Sequence, residues 1–149
     1  MNVIRGLICL ALAGALSPCW AALGENASSV AADSARMKGA LRSSSTAAFT
    51  VHEISTPTST VVREYVGPDG QVFAVSWRGP FNPNLKDMFG AYYTQYQQAA
   101  AAGVGHDKRH SQVSTPELIV QRSGRLRGFA GRAWLTQRLP ANVTPSDIE

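Results

Sequence analysis

The chain has 149 residues and a mass of 15.9 kDa, room for one domain rather than two. Hydrophobic residues make up 44%, which argues against wholesale disorder, and 14 cations against 10 anions leave a net charge of only +4. That excess falls short of what a nucleic-acid binder carries, so nucleic acid is disfavoured as a partner.

Residues 1–21 read as a secretory signal peptide. Arg5 supplies the charged start, Gly6 to Leu16 is an unbroken run of small or apolar residues, and Ser17 to Ala21 brings a helix breaker and a small-residue cleavage site. A membrane span needs about 20 apolar residues, and this run is much shorter. Cleavage after Ala21 puts Cys19 and Ala21 at the two small positions. Lipid attachment at Cys19 is disfavoured by Pro18 before it. Both cysteines, Cys9 and Cys19, fall in the removed segment. The expected mature chain, 22–149, thus has no thiol nucleophile, thiolate metal site or disulfide. With Arg5 gone its net charge is +3, and no transmembrane segment remains. The expected address after cleavage is periplasmic or extracellular.

Residues 22–140 are expected to form a single α+β domain. A first helix is expected over 26–42, capped by Asn26 or Ser28, with Ala27, Val30, Ser34, Met37 and Leu41 on one thin stripe. The Ser-rich stretch after it reads as a loop. Three strands follow: Phe49–Ser55, Thr60–Val66 and Gln71–Trp77, the last with Phe73, Val75 and Trp77 on one face by alternation. Gly67-Pro68-Asp69-Gly70 joins the last two as a tight turn. Gly79 to Pro83 breaks the sheet. A second helix runs from Asn84 to Ala102, with Leu85, Met88, Phe89, Tyr92, Tyr96 and Ala99 on one face. Gly103 to Thr115 reads as a mobile polar loop. A last hairpin follows, Glu117–Arg122 and Arg125–Leu135 about a Ser123-Gly124 turn, and residues 141–149 read as a loose tail. The expected order is α-β-β-β-α-β-β, with about five antiparallel strands and one amphipathic helix packed across them.

The chemistry-bearing features are few. No acidic residue lies between Glu117 and Asp147, whereas Arg122, Arg125, Arg127, Arg132 and Arg138 do. A Ser123-Gly124 turn would set Arg122 opposite Arg125, with Arg127 on their face. Guanidinium forks suit carboxylates and phosphates, so Arg122, Arg125 and Arg127 are the anion-binding candidates. The plain alternative is a solvated hairpin end paired with Glu53, Glu64 or Asp69. Trp77 and Arg78, beside the rigid Gly79-Pro80, are candidates for a second contact, against a core Trp with a snorkelling Arg. Gly128-Phe129-Ala130-Gly131 suggests a bulge or bend, or room for the close approach of another group. His106 and His110 stand four apart but follow two glycines and flank two cations, so no metal site is expected, nor any cofactor. His52 beside Glu53 allows a hydrolase reading, though no G-x-S-x-G nucleophile elbow occurs. Glu53 and Glu64, on adjacent strands, could form a carboxylate pair. No residue is assigned as catalytic.

Several segments together resemble a known family. They are Leu23-Gly24 with Ser28 to Asp33, Arg63-Glu64-Tyr65-Val66, Pro68-Asp69-Gly70, Val72 to Trp77, Gly79-Pro80 and Gly128 to Ala133. They resemble a small exported proteobacterial family, a domain of unknown function numbered twenty-eight forty-four, over about residues 23–140. The resemblance implies a bacterial envelope setting and a single domain, and it supplies no activity or catalytic residue. The sequence thus reads as an exported, non-enzymatic binding or envelope-interaction domain. Its partner is expected to be an anionic envelope component or another envelope protein. The alternatives are a small hydrolase using His52 with a carboxylate, and an envelope protein that self-associates through a sheet edge.

Overall fold

The computed structural model describes residues 23–103 and 110–149. The expected leader with Cys9 and Cys19, and the segment from His106 to Arg109, lie outside them. Seven strands among the described residues form one antiparallel sheet: β1 (Ala40–Ser45), β2 (Thr50–Ser55), β3 (Val61–Val66), β4 (Val72–Gly79), β5 (His110–Ser114), β6 (Leu118–Arg125) and β7 (Gly128–Leu135). Their spatial order is β1-β2-β3-β4-β7-β6-β5. The α+β class holds with a single antiparallel sheet, but the sheet has seven strands rather than about five. The helical material comprises α1 (Val30–Arg36), α2 (Leu85–Phe89) and α3 (Tyr93–Ala102).

Both extra strands are edges. β1 takes residues expected in the end of the first helix and in the Ser-rich loop, and all six are exposed. Strand alternation shows in a sequence only when one face is buried, so a strand wet on both faces carries no period-2 signal. β5 emerges from the expected polar loop for the same reason, since among its five residues only Val113 is buried. The first helix accordingly stops at Arg36. Asn26 does cap its approach, with Oδ1 accepting from the Ser28 N–H at 3.0 Å.

The helices cover one face. Met88, Phe89 and Tyr96 pack with Leu23, Ile54, Val62, Val66, Val75, Trp77 and Leu135 in the main core, so the aromatic stripe expected on the second helix is the one that is buried. That helix is interrupted at Gly90, whose backbone (φ 49°, ψ −121°) few other residues adopt. A 3-10 turn at Gly90–Tyr92 then leads into α3.

A smaller core of Tyr65, Phe73, Ala74, Trp134, Val143 and Ile148 lies on the opposite face. Simple alternation would place Phe73 beside Val75 and Trp77. Pairing shifts from Tyr65↔Ala74 to Val66↔Val72, leaving Phe73 as an extra residue. A bulge of this kind breaks the alternation and turns the ring to the other side.

What covers this second face is the stretch expected to be a loose tail. A 3-10 turn at Pro145–Asp147 is held by a capping box, with the Asp147 carboxylate accepting from the Thr144 N–H and hydroxyl. Those bonds hold Asp147 below the usual carboxylate range. Ile148 is fully buried. The Glu149 main-chain oxygen accepts from Arg63 Nη1 (2.8 Å), Tyr65 Oη (2.7 Å) and Ser76 Oγ (2.6 Å). The tail lacks an apolar period, but two well-placed aliphatic residues and a cluster of donors suffice to seat it. Among the described residues no helix is long and apolar enough to cross a membrane.

Candidate functional site

The last hairpin does not turn at Ser123-Gly124. Pairing continues from Leu118↔Leu135 to Arg125↔Gly128, so Leu126 and Arg127 make the turn. Arg122 therefore stands opposite Gly131 rather than Arg125. It shares the helix-covered face with Val120 and donates from Nη1 to Tyr96 Oη at 3.0 Å. Arg125, three residues on, falls on the opposite face by alternation. Arg127 sits exposed in the turn at φ 62°. The three candidates thus do not converge: one is tied to α3 and two are solvated at the hairpin tip.

Trp77 and Arg78 separate in the same way. Trp77 is buried against Phe89, ring centroids 6.2 Å apart, and has only 2% exposure. Gly131 is what admits it, because a Cβ there would stand 2.2 Å from Trp77 Cζ2. Gly131 thus marks a close approach and not a bulge, since β6 and β7 stay in register throughout, whereas a Cβ at Gly128 would meet nothing closer than Arg125 O at 4.0 Å. Arg78 points to the other face, is exposed, and makes no hydrogen bond or ion pair among the described residues.

On that face Arg78 borders a cleft of about 520 Å³. Ala130 and Arg132 of β7, Gln121 and Ser123 of β6, and Gln112 and His110 of β5 form its floor, and the seated tail walls one side. Arg132 is locked in place. Its Nε donates to Gln121 Oε1 at 2.8 Å, its Nη1 donates to Pro145 O at 2.6 Å and Ile148 O at 3.3 Å, and its guanidinium lies 5.8 Å from the Trp134 ring centre. Gln121 Nε2 donates onward to Gln112 Oε1 at 2.9 Å. The cleft thus has the guanidinium of Arg78, the fixed guanidinium of Arg132, the Tyr96-bound Arg122 at its border and a row of amides and hydroxyls, with the acidic Glu149 in its wall and Arg125 next beyond Ser123 on the same face. Such a surface can accept an anion of extended, polar character. Gln112 was missed because β5 carries no strand signal, His110 was weighed only as a metal ligand with His106, and Gln121 and Ser123 were passed over because the hairpin was expected to turn at Ser123-Gly124 and β5 was not expected beside them.

The remaining candidates fall elsewhere. Glu53 accepts from Arg63 Nε at 2.9 Å, and Asp69 Oδ2 lies 3.8 Å from Arg138 Nη1. Glu53 and Glu64 face opposite sides of the sheet. Glu64 meets Asp33 of α1 instead, and both are almost fully buried. Burial, reinforced by the Asp33 charge and by the hydrogen bond Glu64 donates to Asp33, pushes the Glu64 carboxyl up to about 9. Burial raises Asp33 to about 6 despite that bond and the Arg36 guanidinium 2.9 Å away. His52 lies directly opposite Glu64 on one side and Ser43 on the other. Its Nδ1 is 2.7 Å from Ser43 Oγ, and burial lowers its pKa. Ser43 was not singled out from the sequence, because its strand reads as a loop there. The Ser43–His52 pair lies on the helix-covered face near an exposed edge, away from the arginine cleft. Among the described residues no group of three or more His, Cys, Asp or Glu could hold a metal.

A family model described as "Protein of unknown function (DUF2844)" matches residues 19–148. The chain belongs to this family. The match spans the whole sheet, the helices and the tail through Ile148. No curated protein and no solved structure matches the chain.

Proposed function

We propose that this DUF2844 chain is an exported, non-enzymatic binding domain of the bacterial envelope that recognises an anionic ligand. The observation carrying this reading is the open cleft of the tail-covered face, where Arg78 stands unpaired among the described residues beside a fixed Arg132 and a row of polar groups. Arg125 and Arg127 extend the positive charge past its mouth, whereas Arg122 is occupied by Tyr96. The secretory pattern of residues 1–21 supports the envelope address. The ligand class is a flexible polyanion with several acceptors, such as an acidic saccharide, since the amides of Gln112 and Gln121 suit hydroxyl-bearing ligands as well as carboxylates.

A thermal-shift series with polygalacturonate, citrate and phosphate at two salt concentrations tests this. Anions that bind the folded state raise the melting temperature, less so at high salt. Arg78→Ala abolishes most of the shift while leaving the unliganded melting temperature within about a degree, as expected of an exposed side chain without partners. Absence of any shift across the panel, or the same shift in the variant, sinks the proposal.

The hydrolase alternative draws support from the 2.7 Å Ser43–His52 contact. The carboxyl in line with them is Glu64, which holds its proton near neutrality and so cannot supply the negative charge that steadies an imidazolium. A fluorophosphonate probe is expected to leave Ser43 unlabelled, and stoichiometric labelling there would replace the binding reading with an enzymatic one.

A further inference from the structure

A second cavity, of about 390 Å³, lies where the end of α1 meets the β2–β3 turn and the loop before α2. Its apolar walls are Met37, Pro57, Phe81, Pro83 and Met88. Small-molecule sites generally measure about 300–1,000 Å³, so the volume is adequate. The polar side chains around it are turned to other uses. Thr56 Oγ1 donates to Thr60 O at 2.9 Å and lies 3.0 Å from Thr58 Oγ1, and Thr60 Oγ1 donates to Phe81 O at 3.1 Å. Asn84 accepts from the Lys86 N–H through Oδ1 and donates through Nδ2 to Asp87. Arg36, paired with Asp33 at 2.9 Å, and Asp87, which accepts from Asn84 Nδ2, also border the cavity together with Asn82, so the apolar walls sit inside a polar rim most of whose groups are already engaged.

Two features of the rim name an occupant. Phe81 is 60% exposed, a large aromatic left partly uncovered at the rim. Lys38 also lines the cavity, and it holds φ at 51°, just past the end of α1, where glycine is the usual residue. Gly39 follows directly, so the turn keeps a lysine in the left-handed position with a glycine one residue away. Among the described residues the Lys38 ammonium meets no carboxylate and no acceptor. A cation held at some cost in backbone strain beside an apolar recess calls for an anionic head on an apolar body. The two flexible thioethers of Met37 and Met88 suit an unbranched chain.

We infer that this cavity binds a single-chain aliphatic carboxylate, the chain lying against Met37, Phe81 and Met88 and the carboxylate meeting Lys38. The site is separate from the arginine cleft and does not depend on it.

Calorimetric titration of the purified protein with decanoate, held below its micelle-forming concentration, tests the inference against decanol and decyltrimethylammonium. Decanoate should bind saturably at one site and more tightly than the ammonium amphiphile. Phe81→Ala should weaken decanoate about tenfold, as expected when the rim no longer offers an aromatic ring to the chain. Lys38→Gly relieves the left-handed backbone, so the fold is retained. It should weaken decanoate about two- to fivefold, in keeping with an exposed charge pair, and leave decanol unchanged. In the unaltered protein the methyl resonances of Met37 and Met88 should move on titration, a readout that stands even if a variant misfolds. No saturable binding, an unaltered affinity in Phe81→Ala, or Met methyls that stay in place overturns the site. Equal binding of the ammonium amphiphile, or an equal loss for decanol in Lys38→Gly, overturns the role of Lys38.

Discussion

The two faces of the sheet are built on different terms. The helix-covered face holds the larger core. It buries Trp77, Phe89 and Tyr96 together and closes over two carboxyls that share a proton. The tail-covered face has a small aromatic core at one end, where Phe49, Tyr65 and Phe73 meet at centroid distances of 5.7–6.2 Å. At its other end it is polar and open, with guanidinium groups in water. On the proposed reading, stability and recognition are divided between the faces: one stabilises the fold through buried area, while the other leaves polar surface open. The seated tail links the two roles, because it both completes the small core and walls the cleft.

The sharpest way to break the contrast is to unseat that tail. Ile148→Ala removes a fully buried side chain and should cost about 2–3 kcal/mol in urea denaturation. It should also weaken anion binding in the cleft, since Ile148 O helps hold Arg132. A variant as stable as the parent would mean that residues 141–149 are loose after all. On the opposite face, Gly131→Ala drives a Cβ into the Trp77 ring and should cost about 2 kcal/mol, read the same way. Its effect should stay in stability. Should the affinity of the cleft for anions fall as far as the stability does, the two faces are not separable.

How much could be read in advance follows the same division. The helix-covered face was legible because its period is strong. Met88, Phe89 and Tyr96 recur at helical spacing, and Val75 and Trp77 alternate on a strand. The β3–β4 turn was legible too: Gly70 N–H donates to Gly67 O at 3.0 Å, as Gly-Pro-Asp-Gly implies. Illegible elements were those whose placement depends on partners far along the chain. Ser43 to Ser45 become a strand only because β2 lies beside them. Arg132 is fixed by Pro145 and Ile148, which no local pattern announces. The Arg-rich hairpin was visible as composition, but which arginine faces which side depends on the turn. Moving the turn from Ser123-Gly124 to Leu126-Arg127 separated Arg122 from Arg125. Arg78 could be singled out from its neighbours, yet the cleft beside it needed β5 and the tail.

The smallest expected effect concerns the carboxyl pair under α1, and it sharpens the contrast through pH. Glu64 in the folded chain keeps its proton up to about 9, whereas an unfolded glutamate loses it near 4.5. Between those values the unfolded state releases a proton that the folded state retains, so rising pH favours unfolding. The contribution is fully present below the unfolded value and gone once pH passes the folded one. Asp33, raised to about 6, acts in the same direction over a narrower range. The charges around the pair are Arg36, which favours ionised Asp33, and Asp87, which opposes it, while His52 faces Glu64 across the strands. Melting temperature should therefore fall by several degrees between pH 5 and pH 9. Glu64→Gln keeps a donor of similar shape without the titrating proton, so it should flatten that slope and leave the variant the more stable protein at pH 8. The tail-covered face supplies the control, because Arg78 lacks a titrating partner among the described residues and Arg78→Ala should reproduce the parental slope. A parental slope in Glu64→Gln would show that the pair is not what couples this fold to pH.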